Sequence, residues 1–232
     1  LGGSLDGMLA EEVLLPASGV TAIPEHLSVD EAACLPCAGV TAWNGLVTRG
    51  HLSSGETVLA LGTGGVSIFA LQFATAMGAR VIVTSSSDEK LARAKKLGAF
   101  GTINYKGDSA WEKSVFKLTE GRGVDHVVEV GGAGTLGKSL ASVAAGGHIA
   151  LIGVLTGFGP PSESLFPLVG KNTDMSGIYV GSRAHFEAMN AFIAEKRLRP
   201  VIDKVFSFDQ AAEAFDYLAS GSHFGKVVLR VA

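Results

Sequence analysis

Between Thr57 and Ile68 the chain reads TVLALGTGGVSI, an aliphatic run broken by three glycines in four residues and then the start of an amphipathic stretch. A strand that turns on glycine directly into a helix has few ways to bury its apolar faces. The helix packs back on the strand, and a second strand returns parallel to the first. The rest of the middle of the chain keeps that rhythm. Strands are expected at Thr57–Leu61, Arg80–Thr84, Thr102–Asn104, Val124–Val130, His148–Ile152 and Met175–Val180. Helices are expected at Gly65–Met77, with Phe69, Leu71, Phe73 and Ala74 among its apolar positions, at Asp88–Leu97, where Gly98 takes the position after the end, at Ser109–Thr119 and at Thr135–Ala144. Short strands that are apolar on both faces and alternate with helices indicate a parallel sheet covered on both sides. Right-handed crossovers make that α/β arrangement a doubly wound, six-stranded Rossmann-type sheet.

Two stretches lie outside the rhythm. Residues 1–32 contain a β-like run at Gly7–Leu15 and a loop around Pro24. Residues 182–232 give a helix at Arg183–Lys196, a break at Pro200, a strand at Lys204–Phe206, a helix at Asp209–Ala219 and a last strand at Lys226–Val231. The doubly wound part therefore occupies 33–181. Hydrophobic residues at 47% against 18% charged supply a large core and exclude a disordered chain. A formal charge of −3 lacks the basic excess that nucleic acid or a membrane surface would require. No apolar run approaches the ~20 residues that span a bilayer. Two cysteines make no disulfide framework, so a cytoplasmic setting is expected. The N-terminus, without a start Met or signal peptide, reads as the middle of a longer protein.

The glycine turn carries a specific chemistry. Gly62 permits the tight turn, Gly64 lets backbone approach a pyrophosphate without a Cβ in the way, and helix-initial N–H groups receive the charge. Gly62, Thr63, Gly64, Gly65, Val66 and Ser67 are thus candidate dinucleotide contacts, Ser67 replacing the third glycine with a small side chain. A purely structural glycine turn is the bland alternative. The end of the second strand selects the nucleotide. NAD-binding sheets place Asp or Glu there, about 20 residues on, for the ribose 2′-hydroxyl. Here the position is Ser85, followed by Ser86, with Lys90 one turn into the next helix and Asp88 expected as its N-cap. Hydroxyls and an ammonium suit a 2′-phosphate, so NADP(H) is preferred over NAD(H). The same missing acid argues against a methyltransferase using S-adenosylmethionine. A non-catalytic dinucleotide-binding protein stays open as a second alternative.

Several ordered motifs (Gly55-Glu56-Thr57-Val58, Gly62 to Val66, Ala94-Lys95-Lys96-Leu97-Gly98-Ala99, Ile103-Asn104-Tyr105, Gly123-Val124-Asp125 and Phe224 to Val228) resemble the medium-chain dehydrogenase/reductase superfamily. That group holds zinc alcohol dehydrogenases and zinc-free quinone and enone reductases. Asp6-Gly7 with Leu9 to Glu11 resembles the end of its GroES-like, β-rich catalytic domain, most of which lies outside this sequence. The resemblance implies an oxidoreductase that moves hydride between the nicotinamide and an alcohol/carbonyl pair, a quinone or an activated alkene. It also implies a homodimer or homotetramer that takes a small-molecule substrate. It places Thr41 and Val66 at the nicotinamide, and Ser86, Lys90 and Tyr105 at the 2′-phosphate. Val130, Gly131, Ile152, Gly153 and Val154 would line the cofactor, and Ile178 and Tyr179 would approach the carboxamide. His223 would lie near the cofactor on the C-terminal return. No general acid or base is evident.

Cys34 and Cys37 form a C-x-x-C, for which three readings compete. In one, both are small buried residues at a helix start; in another, a helix N-terminus activates a thiol; in the third, Cys37 matches the family's third catalytic zinc ligand. One cysteine holds no metal without partners from elsewhere, and Leu35 to Leu46 also resembles zinc-free members. Arg183, His185 and Glu195 to Arg197 are expected to be solvated.

Overall fold

The computed structural model describes residues 2, 5–157, 159 and 164–231. Six strands form one all-parallel sheet: β1 (Thr57–Ala60), β2 (Arg80–Ser85), β3 (Gly101–Asn104), β4 (Val124–Glu129), β5 (Val143–Leu151) and β6 (Asp174–Gly177). Their spatial order is β3-β2-β1-β4-β5-β6, so the chain starts at the centre, winds outward to one side and then to the other. The order reverses between β1 and β4, and the carboxyl ends of those two strands open a crevice.

Strand periodicity explains the two layers. Val58 and Ala60 of β1, with Val81 and Val83 of β2, face one core; Leu59 and Ile82, from the alternate positions, face the other. After a short α1 (Val29–Ala32) that buries none of its residues, the first core is covered by α2 (Val40–Trp43), α3 (Gly65–Ala76) and α4 (Asp88–Lys96), and by the later helix that carries Met189 and Ile193. Trp43, Phe69, Phe73 and Phe192 stack within it. The second core is closed by α5 (Trp111–Leu118) and α6 (Leu136–Ser142). A short α7 (Phe166–Gly170) precedes β6. Then come α8 (Arg183–Lys196), β7 (Ile202–Ser207), α9 (Ala211–Ala219) and β8 (Lys226–Arg230), with β7 and β8 paired in parallel as a second small sheet. Phe224 and Val228 bury into the first core, tying the C-terminal return to the main sheet. Among the described residues no helix is long and apolar enough to cross a membrane.

Four expectations need correction. Gly7–Leu15 forms no strand; it has no neighbouring strand to satisfy its backbone, and Met8, Leu9, Val13 and Leu14 are exposed. The fifth strand begins at Val143 rather than His148, and α6 ends correspondingly early. Its pairing jumps from Val124↔Val143 to His126↔His148, a bulge made possible by Gly146 at φ 71°. The last strand of the sheet is Asp174–Gly177, so Ile178, Tyr179 and Val180 lie beyond it. Finally, Ser87 and not Asp88 caps α4, its hydroxyl accepting from the Lys90 amide at 3.4 Å. The Asp88 carboxylate instead accepts from the Asn104 amide at 2.8 Å. All three segments drawn from sequence, 1–32, 33–181 and 182–232, include positions outside the described residues, namely 1, 3, 4, 158, 160–163 and 232.

Candidate dinucleotide site

The crevice holds a groove of about 280 Å³. It is lined by the turn from Gly62 to Ser67, by Ser85, Ser86, Lys90 and Tyr105 beyond β2 and β3, by Val130 beyond β4, and by Leu155, Gly221 and His223. Twelve of the residues singled out from sequence therefore meet in one place: Gly62, Thr63, Gly64, Gly65, Val66, Ser67, Ser85, Ser86, Lys90, Tyr105, Val130 and His223.

Each part of the turn has a local cause. Gly62 has φ 74°, where a Cβ is strained. Gly64 is extended at φ −77° and ψ −177°, and a Cβ there would meet only the His223 Nε2, at 3.9 Å. The space in front of Gly64 is open. Gly65 is required for packing instead, since a Cβ would lie 2.7 Å from the Lys226 Cδ and 3.0 Å from the Ala38 Cβ. No side chain caps α3, so the N–H groups of its first turn, at the positive end of the helix dipole, point at the groove without an intrahelical acceptor. This is a cradle for an anion that approaches closely, and it fits a pyrophosphate. Ser67 serves the scaffold: its buried hydroxyl donates to the Leu61 carbonyl at 2.5 Å and holds the helix to the end of β1.

The C-terminal return closes one wall. The Gly225 amide donates to the Thr63 carbonyl at 2.9 Å, and Gly64 and Gly225 form a parallel bridge. Phe224 is buried with the Arg93 guanidinium 4.2 Å from its ring centroid. His223 is thereby fixed against the glycine turn. Across the groove the Lys90 ammonium donates to the Gly221 carbonyl. Burial lowers its pKa from the ordinary lysine value, with the Arg93 charge adding to this and Asp203 opposing it.

The residues assigned to the nicotinamide half are placed differently. Gly131 donates its amide to the Glu129 carboxylate at 2.8 Å. Ile152 and Gly153 follow β5, both amides donating to the Glu129 carbonyl, and a Cβ at Gly153 would lie 1.8 Å from the Val130 oxygen. Ile152 and Ile178 approach Gly45 from the sheet side. Thr41 is buried and its hydroxyl donates to the Cys37 carbonyl at 2.6 Å. Val154 is exposed, and Tyr179 is 95% exposed. None of Thr41, Gly131, Ile152, Gly153, Val154, Ile178 and Tyr179 lines the groove itself, although all but Thr41 follow the carboxyl ends of β4, β5 or β6.

Glu129 went unread in the sequence. It is fully buried at the end of β4, and its carboxylate accepts from the amides of Gly131 and Gly132 and from the hydroxyls of Thr135 and Ser139. Four donors satisfy the buried charge and shape the turn into α6. A carboxylate closing an apolar strand just before Val130-Gly131-Gly132 was the available signal.

The two cysteines differ. Cys34 is buried, its thiol donating to the Asp30 carbonyl at 3.4 Å, and burial pushes its pKa up to about 11. Cys37 is exposed, which corrects the reading of both as buried: the wide helical turn over Leu35–Gly39 turns Leu35, Ala38 and Gly39 inward and Pro36 and Cys37 outward. Among the described residues no group of three or more His, Cys, Asp or Glu is arranged to hold a metal. By themselves, without partners from outside this sequence, these donors do not make a zinc site.

A larger apolar pocket of about 630 Å³ lies apart, between residues 8–40 and the start of α8. Arg183, on its wall, is exposed as expected and donates there to the Glu187 carboxylate and the Ser18 carbonyl.

The parallel sheet, the order reversal and the glycine turn define a Rossmann-type dinucleotide-binding domain. The family described as zinc-binding dehydrogenase matches residues 65–195. A zinc-type alcohol dehydrogenase-like protein of Schizosaccharomyces pombe is 50% identical over 237 residues, covering 100% of this chain and 68% of the relative. A solved structure from Sinorhizobium meliloti 1021 that carries an alcohol dehydrogenase name superposes with a TM-score of 0.94 at 47% identity, over 100% of this chain and 67% of that one. A structure named NAD-dependent alcohol dehydrogenase gives 0.92 at 35%, over 100% and 67%, and a mycobacterial structure complexed with NADPH gives 0.82 at 29%, over 94% and 69%. This chain belongs to the zinc-binding dehydrogenase family, within the medium-chain dehydrogenase/reductase superfamily of oxidoreductases. It spans about two thirds of the length of these relatives.

Proposed function

We propose that this chain forms the dinucleotide-binding part of an NADP(H)-dependent oxidoreductase acting on an alcohol/carbonyl pair, a quinone or an activated alkene. The observation that carries the reading is the lining of the groove. Among the described residues fifteen line it and none is Asp or Glu, while Lys90 and His223 present nitrogen to it. A ribose 2′-hydroxyl would want the missing carboxylate; a 2′-phosphate would be repelled by one. The neighbour named NAD-dependent and the neighbour complexed with NADPH show that this fold serves both forms, so the choice rests on Ser85, Ser86, Lys90 and Tyr105.

When bound, the nicotinamide supplies the hydride-transfer chemistry. The protein's own share is binding, orientation and dryness. Amides from Thr63 to Ser67 receive the pyrophosphate, the Gly62 amide being engaged by the Thr84 hydroxyl, and Ser86, Lys90 and Tyr105 orient the adenosine end. Thr41, Val66, Ile152 and Ile178 form the wall beside the ring, excluding water from a charge-poor transfer; Gly131, Gly153, Val154 and Tyr179 complete the rim. Family membership sets aside the methyltransferase alternative. The scaffold pairs with a second copy through β6, as argued below.

Calorimetric titration of the full-length protein with NADPH and NADH tests the reading, followed by turnover with quinones, enones and aldehydes. NADPH is expected to bind at least about tenfold tighter, a difference of ~1.4 kcal/mol, and Ser85→Asp is expected to reverse the order. Equal affinity in both proteins defeats the NADP(H) assignment. Tight binding without turnover leaves a dinucleotide-binding protein that performs no chemistry.

A further inference from the structure

We propose that His223 is a proton-coupled phosphate receptor: neutral in the free groove, its imidazole takes up a proton from solvent as the dinucleotide's pyrophosphate enters, and donates to that phosphate. The inference rests on the dinucleotide reading above and adds a residue and a pH dependence to it.

The geometry places the ring. His223 lines the groove, and its Nε2 is the one atom that would meet a Cβ on Gly64, the glycine where a pyrophosphate approaches closest. The ring is held by its neighbours in sequence, since Phe224 is locked in the core and Gly225 is bonded to the Thr63 carbonyl. Its Nδ1 is buried without a hydrogen-bond partner among the described residues, so no contact there fixes a tautomer or holds a proton on it.

The charges around it act in one direction until an anion arrives. Burial disfavours the imidazolium most, and the ammonium groups of Lys90, across the groove, and Lys226, on β8, add to that; Asp203 on β7 opposes them. The His223 pKa accordingly lies below the ordinary histidine value of 6.5. Asp203 is a weak counterweight because its carboxylate is already engaged by the Arg93 guanidinium at 2.7 Å and the Tyr217 hydroxyl at 2.6 Å. A phosphate between Gly64 and the ring reverses the balance. It neutralises the repulsion from Lys90 and Lys226 and offers the protonated ring an acceptor, a charge-assisted contact of the strong kind. Proton uptake and dinucleotide binding are then linked: the anion raises the imidazole pKa, and protonation tightens the anion.

The test is calorimetry of NADPH and NADH binding to the full-length protein at pH 7 in buffers of different ionisation heats, with His223→Gln alongside. The wild type should take up a fraction of a proton that the variant does not, with NADH as well as NADPH, because both carry the pyrophosphate. Wild-type affinity should fall relative to the variant by about threefold or more between pH 6 and pH 8.5, inside the about tenfold limit that a one-unit rise in pKa sets on binding. In the wild type alone, the imidazole proton resonance of His223 should titrate below pH 6.5 in the free protein and above it in the complex, a readout that survives if the variant fails to fold. Uptake with NADPH only would move the contact to the 2′-phosphate and overturn the pyrophosphate assignment. Binding with identical proton uptake and pH slope in wild type and variant, or an unmoved resonance, overturns the inference and leaves the dinucleotide reading intact. No heat with either dinucleotide overturns both.

Discussion

Gly64 and Gly153 both follow strands at the carboxyl edge of the sheet, yet a methyl group would be received differently at each. At Gly153 the new Cβ would fall 1.8 Å from the Val130 carbonyl oxygen, a backbone atom that moves only if β4 moves with it. Gly153→Ala should therefore cost at least about 3 kcal/mol of stability, as forced overpacking does. At Gly64 the backbone is in a region any residue adopts, and the nearest atom is an imidazole nitrogen 3.9 Å away. Gly64→Ala should fold as the wild type does, or gain up to ~1 kcal/mol from a less flexible unfolded chain. Its dinucleotide affinity should fall by tenfold or more, because the methyl group occupies the pyrophosphate's approach. Urea unfolding and NADPH titration of the two variants separate these effects. A Gly64→Ala protein with undiminished affinity would remove the groove from consideration as the phosphate site.

Adjacent strands carry a buried pair whose chemistry differs from that of the groove. His126 on β4 and His148 on β5 face each other in register, rings 6.0 Å apart, with Asp174 of β6 next in the row. His126 bonds the Glu56 carboxylate at 2.9 Å; both nitrogens of His148 are buried without partners among the described residues. Burial first, then the charges of His126, Arg49 and His51 against Asp174, bring the His148 pKa down from 6.5 to about 4. A depressed imidazole pKa means that the unfolded chain binds the extra proton. Stability is then full above pH 6.5 and declines as pH falls toward 4, by about 3 kcal/mol at the limit from this residue. His148→Leu should flatten that decline in urea midpoints measured from pH 7 to pH 4.5, and cost little at pH 7, since it removes two unpaired buried atoms. Parallel curves for the two proteins would refute it. Elements of this kind also show what sequence makes legible. The runs around Val58, Val81 and Val127 repeat on two faces and are bounded by glycine, so five strands and most helices could be placed by pattern. Gly7–Leu15 could not, because a strand depends on a neighbour that pattern does not supply. The start of β5 was hidden in Val143 to Gly147, small residues that suit a helix until Gly146 turns left-handed. In the groove the contiguous motif was readable, as was the serine strip. Glu129 and the orphaned nitrogen of His223 depend on distant folding partners.

At the scale of the whole molecule the sheet ends at β6, whose outer backbone edge is unpaired. The strand is shorter and more polar than its sequence neighbourhood implied, DMSG, yet apolar surface gathers beside it: Phe166 and Val169 of α7 are 71% and 72% exposed, and Met175 is 37% exposed. An open edge flanked by apolar surface is a template for a second strand. We propose that a copy of the same chain meets it with identical chemistry about a two-fold axis, β6 against β6, in a closed isologous contact. The groove lies at the β1–β4 reversal, with β4 and β5 between it and this edge, so pairing and dinucleotide binding are separable. Met175→Lys combined with Val169→Lys puts like charges across the axis and should give a monomer by sedimentation at micromolar concentration, where the wild type is a dimer or a dimer of dimers. NADPH affinity should stay within about twofold, inside the ~0.5 kcal/mol expected of surface changes remote from a site. A monomeric wild type would refute the pairing, and a variant that dissociates and loses NADPH together would show that the groove depends on the second copy.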